Sequence, residues 1–166
     1  MNNEKDNVYD LVEDFYAHDE GWNTLLRQEY AEGFLRMEAW KGKKNSDLYR
    51  SWDNLTMLCL YLGSAETFLG DMNADDFIDC IAWCGRNISE FTPDYKNTQD
   101  FLETCDGLFK YLKGKNAISN DTVPGTAAEI LLQEGKMNII LPDGSFDEAN
   151  AERAWNATPD IPAKIF

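Results

Sequence analysis

The fold class is decided by residues 92–114, which read TPDYKNTQDFLETCDGLFKYLKG. Thr92 has a hydroxyl suited to capping a helix, and Pro93 suits the first helical position, where its missing N–H costs nothing. Gly114 predicts the helix stop. The stretch therefore predicts an amphipathic helix, with Leu108 and Phe109 as its core anchors. Its apolar residues recur at steps of three and four: Phe101, Leu102, Cys105, Leu108, Phe109 and Leu112.

The same spacing predicts further helices on both sides of this stretch. Ser46 and Asn73 have side chains that cap helix N-termini, so each predicts the start of a helix. The helix after Asn73 has apolar residues on nearly all sides and is expected at the centre of the fold. Apart from residues 92–114, helices are expected at residues 8–16, 22–40, 46–62, 73–84 and 127–133.

The pattern changes near the C-terminus. Ile139 and Ile140 are β-branched and stand just before Pro142-Asp143-Gly144, a turn signal. Residues 139–146 are therefore predicted to form a small β-hairpin.

These elements predict a mainly α fold, a compact bundle of five to seven helices with one small hairpin. At 166 residues the chain fits one domain. Three parts are expected within it. They are N-terminal helices at residues 1–45, a four-helix core at 46–120, and a C-terminal extension at 121–166 with a short helix and the hairpin.

The charge of the chain is strongly acidic, with a net charge of −15 and a pI near 4.3. Such a charge disfavours non-specific binding to nucleic acid and to anionic membrane surfaces. The only concentrated basic patch is KGKKN at residues 41–45, which is expected to be a loop. The N-terminus lacks the basic-then-apolar order of a signal peptide, and no apolar run approaches the length of a membrane span. The sequence therefore predicts a cytoplasmic protein.

The four cysteines lie inside apolar helical patterns. In a reducing compartment this placement is typical of small buried thiols. A zinc site is the alternative, but zinc ligands usually have tighter spacing on loops. We expect reduced, metal-free thiols at Cys59, Cys80, Cys84 and Cys105.

Catalytic motifs are missing from the sequence. His18 is the only histidine, stands in the acidic segment AHDEG, and has no nucleophile motif such as GxSxG near it. The chain also has no P-loop and no GxGxxG. With 30 acidic residues, pairs of carboxylates meet by chance and carry little information.

A partial calcium-loop motif begins at Asp71, with Asn73 and Asp75 at the next two ligand positions. The motif then fails, because Asp76 occupies the position of the required glycine and Ala82 that of the bidentate glutamate. Helix capping explains these residues. No catalytic, cofactor-binding or metal-ligating residue is assigned, and no cofactor is expected.

The order of several short motifs resembles the SAM-like core-binding domain of tyrosine recombinases and phage integrases. The resemblance implies a four-helix orthogonal bundle and an attachment to DNA. That family clamps DNA with basic residues, whereas acidic residues outnumber basic ones here, so no functional residue is carried over. The motifs are Leu48-Tyr49, Trp52, Leu55 and Tyr61-Leu62, then Met72 to Phe77, then Ser89 to Thr92 with Leu108 to Leu112 and Ile118-Ser119.

The favoured function is a non-enzymatic protein-interaction module. Its partner is expected to be a protein bound through an apolar or aromatic patch or a basic surface, with no nucleic acid and no membrane. The acidity of the chain favours a partner that is itself basic or mainly apolar. A small carboxylate- or metal-dependent enzyme is one alternative. A DNA mimic or an integrase-like domain is another. A pocket of converging carboxylates would favour the enzyme, and an exposed apolar patch would favour the module.

Overall fold

The structure is a computed structural model that describes residues 7–93 and 95–133. Within these residues it contains six α-helices, two short 3₁₀ turns and no strand. The predicted mainly helical fold is therefore confirmed, while the predicted hairpin at 139–146 lies outside the described residues. The helices are α1 (Val8–His18), α2 (Gln28–Trp40), α3 (Asn45–Ala65), α4 (Ala74–Asn87), α5 (Tyr95–Gly114) and α6 (Val123–Gln133), and the turns are Glu20–Thr24 and Leu69–Asp71.

The core lies where α3, α4 and α5 meet. α5 packs against α3 and α6, and α4 packs against α3 and α6. α1 and α2 pack against α3, and α2 also contacts α5. Every apolar residue of the predicted α5 stripe is buried, including Leu108 and Phe109. The predicted apolar face of α5 is thus confirmed.

The start of α4 was also predicted correctly. The Asn73 side chain accepts the Asp76 N–H at 2.9 Å, and the Asp76 carboxylate accepts the Asn73 N–H at 2.8 Å. This reciprocal pair forms a capping box that satisfies two backbone donors at the helix end. The apolar residues that follow are buried almost completely, so α4 is central as predicted.

Two predicted helix starts were wrong. α5 begins at Tyr95, so Thr92 is not its cap, and Pro93 lies before the helix with its ring against Gly85 of α4. α3 begins at Asn45, one residue before Ser46, and no side chain caps it. Before α5, the packing of Pro93 on Gly85 keeps the proline outside the helix.

Several predicted helix ends are wrong because a glycine does not end the helix where the sequence suggests that it would. α3 runs through Gly63 to Ala65, and α4 runs through Gly85 to Asn87. α6 begins at Val123, before its predicted start at Ala127. α5 does end at Gly114, but the left-handed residue that reverses the chain is Asn116, at φ 59°. A glycine inside a helix costs only about 1 kcal/mol, which tertiary burial exceeds.

The predicted long helix over residues 22–40 is divided in the structure. A 3₁₀ turn covers Glu20–Thr24, and α2 begins only at Gln28. Arg27 is extended between them, and the Asn23 side chain accepts the Gln28 N–H at 2.9 Å. The side chain of Asn23 thus supplies a partner for the first backbone donor of α2.

Candidate functional site

An exposed tryptophan closes α2. Trp40 is the last residue of the helix, and it is 91% exposed, more than any other large hydrophobic residue in the described part of the chain. Its indole leaves a large apolar area in contact with water. Tryptophans that become buried on association are frequent binding hot spots. Trp40 is therefore the first candidate for a contact with another molecule.

Three exposed lysines follow Trp40 in the loop between α2 and α3. Gly42 reverses this loop with a φ of +99°, which side-chain-bearing residues rarely adopt. The Glu38 carboxylate lies 3.9 Å from the Lys41 ammonium and 3.8 Å from that of Lys43. Because the single charge of Glu38 balances only one of the three lysines, two positive charges are in excess. Trp40, Lys41, Lys43 and Lys44 are called the Trp40 surface below.

Helical spacing predicts that a tryptophan is more often a core residue than part of an exposed patch, and one of the five, Trp155, lies outside the described residues. Trp52 and Trp83 are buried, and Trp22 is half-buried with its ring stacked on Phe15 at 4.8 Å. The same prediction was wrong for Trp40. Because Trp40 stands in the last turn of α2, the chain leaves the helix before another described element covers the indole.

A groove of about 400 Å³ lies between α3, the first turns of α5 and the loop that follows α4. Its apolar part comes from α3 and from the loop. Met57 and Ile88 are buried, while Leu60 and Phe91 are half-buried. The groove therefore offers a hydrophobic wall that is open to solvent on one side.

Carboxylates from three elements line the same groove: Asp53 of α3, Glu90 of the loop and Asp100 of α5. Among the described residues of the lining, Arg50 is the only basic one. Partial removal from water raises the pKa of the Asp53 carboxyl. In residues 7–93 and 95–133, no ion pair joins these carboxylates to a basic side chain.

Asn54 fixes one wall of the groove. It is 4% exposed, and its amide nitrogen donates to the Asp100 carboxylate at 3.1 Å and to the Thr104 hydroxyl at 3.0 Å. The Thr104 hydroxyl in turn donates to the Asp100 carbonyl at 3.0 Å. A carboxylate only accepts hydrogen bonds, so this network sets the orientation of the Asn54 amide. The arrangement holds the Asp100 side chain in place.

The residues considered for catalysis and calcium lie apart from this groove. His18 is the exposed last residue of α1. Asn73 caps α4, and Asp71 ends the short turn Leu69–Asp71. None of the three lines the groove. The sequence alone assigned no functional role to the residues that line the groove.

The four cysteines are unpaired thiols, all buried in the core. Burial raises the pKa of Cys59 to about 12, and it raises the pKa values of Cys80 and Cys105 well above the ordinary thiol range. The described residues hold no group of three or more His, Cys, Asp and Glu side chains arranged to bind a metal ion. Burial on helical faces was predicted and is confirmed, while the metal-free state stays a prediction.

We expect the thiols of the native protein to resist Ellman's reagent at pH 8. Thiolate is the reactive form, and at this pH the raised pKa values keep Cys59, Cys80 and Cys105 protonated. Unfolding in guanidinium should release four reactive thiols. Elemental analysis of the native protein measures whether it contains zinc. Fewer than four thiols after unfolding, or stoichiometric zinc, contradicts the prediction.

None of the helices in residues 7–93 and 95–133 combines the length and apolar content of a membrane span. No protein-family model matches the chain, no curated protein is significantly similar to it, and no solved structure matches it.

Proposed function

We propose that this protein is a non-enzymatic interaction module and that the Trp40 surface docks an acidic segment of a partner protein. The observation that carries the proposal is the 91% exposure of Trp40 directly before a lysine-rich loop. An exposed indole costs solvation free energy unless a contact covers it. Tryptophan flanked by basic side chains is a composition suited to a binding interface.

The apolar and basic groups of the Trp40 surface indicate which residue types its partner presents. An apolar residue of the partner would cover the indole of Trp40, and carboxylates beside it would meet Lys43 and Lys44. The net charge of −15 opposes the approach of an acidic partner at long range. At physiological salt, however, charges more than about 8 Å apart are largely screened, so the local excess of lysine decides the contact.

Nucleic acid fits this surface less well than an acidic protein segment does. Duplex DNA binding draws on many phosphate contacts along an extended charged track. The Trp40 surface has three lysines, and the remainder of the chain repels phosphate. We therefore expect no binding of random duplex DNA at physiological salt. The integrase-like and DNA-mimic interpretations remain alternatives to this proposal.

A carboxylate-dependent enzyme is the weaker candidate. The groove beside α3 gathers carboxylates, yet the described residues of its lining include no histidine and no cysteine. Two carboxylates can act as general acid and general base only when a defined distance separates them on either side of the substrate bond that is cleaved.

A selection experiment tests the proposal. A library of displayed random dodecapeptides is selected on the immobilised protein and counter-selected on the Trp40→Ala/Lys43→Glu/Lys44→Glu variant. We expect the enriched peptides to carry Asp or Glu around an apolar residue. For an enriched peptide, Trp40→Ala alone should weaken affinity by about 30-fold, which corresponds to a hot spot of about 2 kcal/mol.

Phe68→Ala provides the matched control. Phe68 is also an exposed aromatic, at 58%, but it precedes the turn Leu69–Asp71 and lies outside the lysine loop. This variant should bind the enriched peptide like the parent protein. The docking site is rejected if Trp40→Ala and Phe68→Ala lower the affinity for the peptide equally. It is also rejected if no peptide is enriched in a way that depends on Trp40. Micromolar binding of random duplex DNA that is lost in a Lys41→Glu/Lys43→Glu/Lys44→Glu variant supports the integrase-like interpretation instead.

A further inference from the structure

We propose that the groove between α3 and α5 binds a small organic cation, a primary ammonium carried on an apolar body. The site is separate from the Trp40 surface and requires no partner protein. Three properties of the groove lead to this ligand: its size and apolar wall, its hydrogen-bond acceptors, and its charge.

The size and apolar wall suit a small molecule. The groove volume of about 400 Å³ lies at the lower end of small-molecule sites, which span about 300–1,000 Å³. Met57 and Ile88 contribute buried apolar surface, and Phe91 adds a half-buried ring. The body of the ligand would rest on these side chains and release water from them.

The polar groups available to a ligand are chiefly acceptors. Both amide hydrogens of Asn54 are used on Asp100 and Thr104, and no residue in the described part of the chain donates to its Oδ1. Asn54 is 4% exposed, and its Oδ1 is left free to accept a hydrogen bond from a ligand in the groove. Ionised Asp53 and Asp100 also only accept. An ammonium has three donors and no acceptor, which complements this set.

The charge of the lining favours a cation. In the described lining, Asp53, Glu90 and Asp100 are opposed by Arg50, so two negative charges are in excess when all four groups are ionised. Partial burial raises the pKa of the Asp53 carboxyl, and none of the described basic side chains forms an ion pair with it. A bound ammonium would supply that partner. A metal ion is disfavoured, since the described acidic side chains do not converge as metal ligands do.

Three probes with the same apolar body test the inference. Phenethylamine is cationic at neutral pH, 2-phenylethanol is neutral and 3-phenylpropionate is anionic. Each is titrated into the ¹⁵N-labelled full chain to about 10 mM, a range that detects millimolar dissociation constants. We expect phenethylamine to shift amide signals of residues 50–60, 88–91 and 97–100. 2-Phenylethanol should bind at least about tenfold more weakly than phenethylamine, because it loses one charge-assisted hydrogen bond. 3-Phenylpropionate should not bind.

Two isosteric variants locate the ammonium. Asp100→Asn and Asp53→Asn should each weaken phenethylamine binding by about tenfold, again the effect of one charged hydrogen bond. Asp14→Asn is the matched control, because this exposed acid of α1 lies outside the groove and removes the same charge. Dispersed amide spectra verify folding. If Asp100→Asn fails to fold because it disturbs the Asn54 network, the more exposed Asp53→Asn decides.

The inference is overturned by equal binding of the amine and the alcohol, by signal shifts outside the groove, or by no binding at about 10 mM. It is equally overturned if Asp14→Asn reduces binding as much as Asp53→Asn, since a general charge effect would then explain the affinity.

Discussion

Replacing Phe109 by alanine is expected to lower the free energy of unfolding by about 3–5 kcal/mol, the range for deleting a buried phenylalanine ring. Phe109 is 1% exposed and lies in the middle of the α5 apolar face. Its ring meets Phe77 of α4 edge-on, with 5.3 Å between the centroids. The cavity left by alanine lies between packed helices that have little freedom to collapse into it. Leu108→Ala should lower stability by about 2–5 kcal/mol for the same reason.

Urea unfolding followed by circular dichroism measures this loss through the linear dependence of the unfolding free energy on denaturant. Phe68→Ala is the control, because it removes the same ring at 58% exposure. Its effect should stay within about 0.5 kcal/mol, as for surface substitutions. A similarly small effect at Phe109 would mean that α5 turns a different face toward the core.

The helical faces were predictable because they depend on periodicity, which a sequence displays directly. The α5 stripe and the apolar run after Asn73 are buried as expected, and the Asn73 cap forms with Asp76. Helix ends were less predictable, since local rules compete there with tertiary contacts. Gly85 illustrates the competition: it looks like a helix stop in the sequence, but α4 continues past it to Asn87.

The candidate sites were harder to predict than the fold. Composition identifies the basic loop, but Trp40 falls on the helical spacing of α2, which by itself predicts a core position. Periodicity reports which side chains share a face and does not report whether another element covers the last turn. The exposure of Trp40 was therefore visible only in the structure.

The groove depends on contacts between residues far apart in the chain. Asn54 and Asp100 are separated by 46 positions, and nothing local in the sequence pairs them. One signal was present, because Ser51 and Asn54 share helical spacing with the apolar residues Leu58 and Tyr61. Polar residues on such a face predict a buried hydrogen-bond network or a ligand. The identity of the distant partners still required the tertiary structure.

The second large effect is expected at Gly85, where alanine should destabilise the protein by about 1–3 kcal/mol, the range for overpacking. Helix propensity alone predicts the opposite sign, a gain of about 1 kcal/mol for alanine in place of glycine. The structure reverses this expectation. A Cβ at position 85 would lie 2.6 Å from Cγ of Pro93 and 3.0 Å from its Cδ. Because the pyrrolidine ring is rigid, the backbone before α5 would have to move.

A double-mutant cycle separates this contact from other effects of the substitution. Pro93→Ala removes Cγ and Cδ and leaves only Cβ, at an ordinary contact distance of 3.4 Å. The combined variant should therefore recover most of the loss, with a coupling energy of at least about 1 kcal/mol. Gly114→Ala is the control, since no atom of a described residue lies within 4 Å of the added Cβ, and stability should change by no more than about 0.5 kcal/mol. If Gly85→Ala instead stabilises the protein, Pro93 does not pack on α4 as described, and the segment that leads into α5 takes another path.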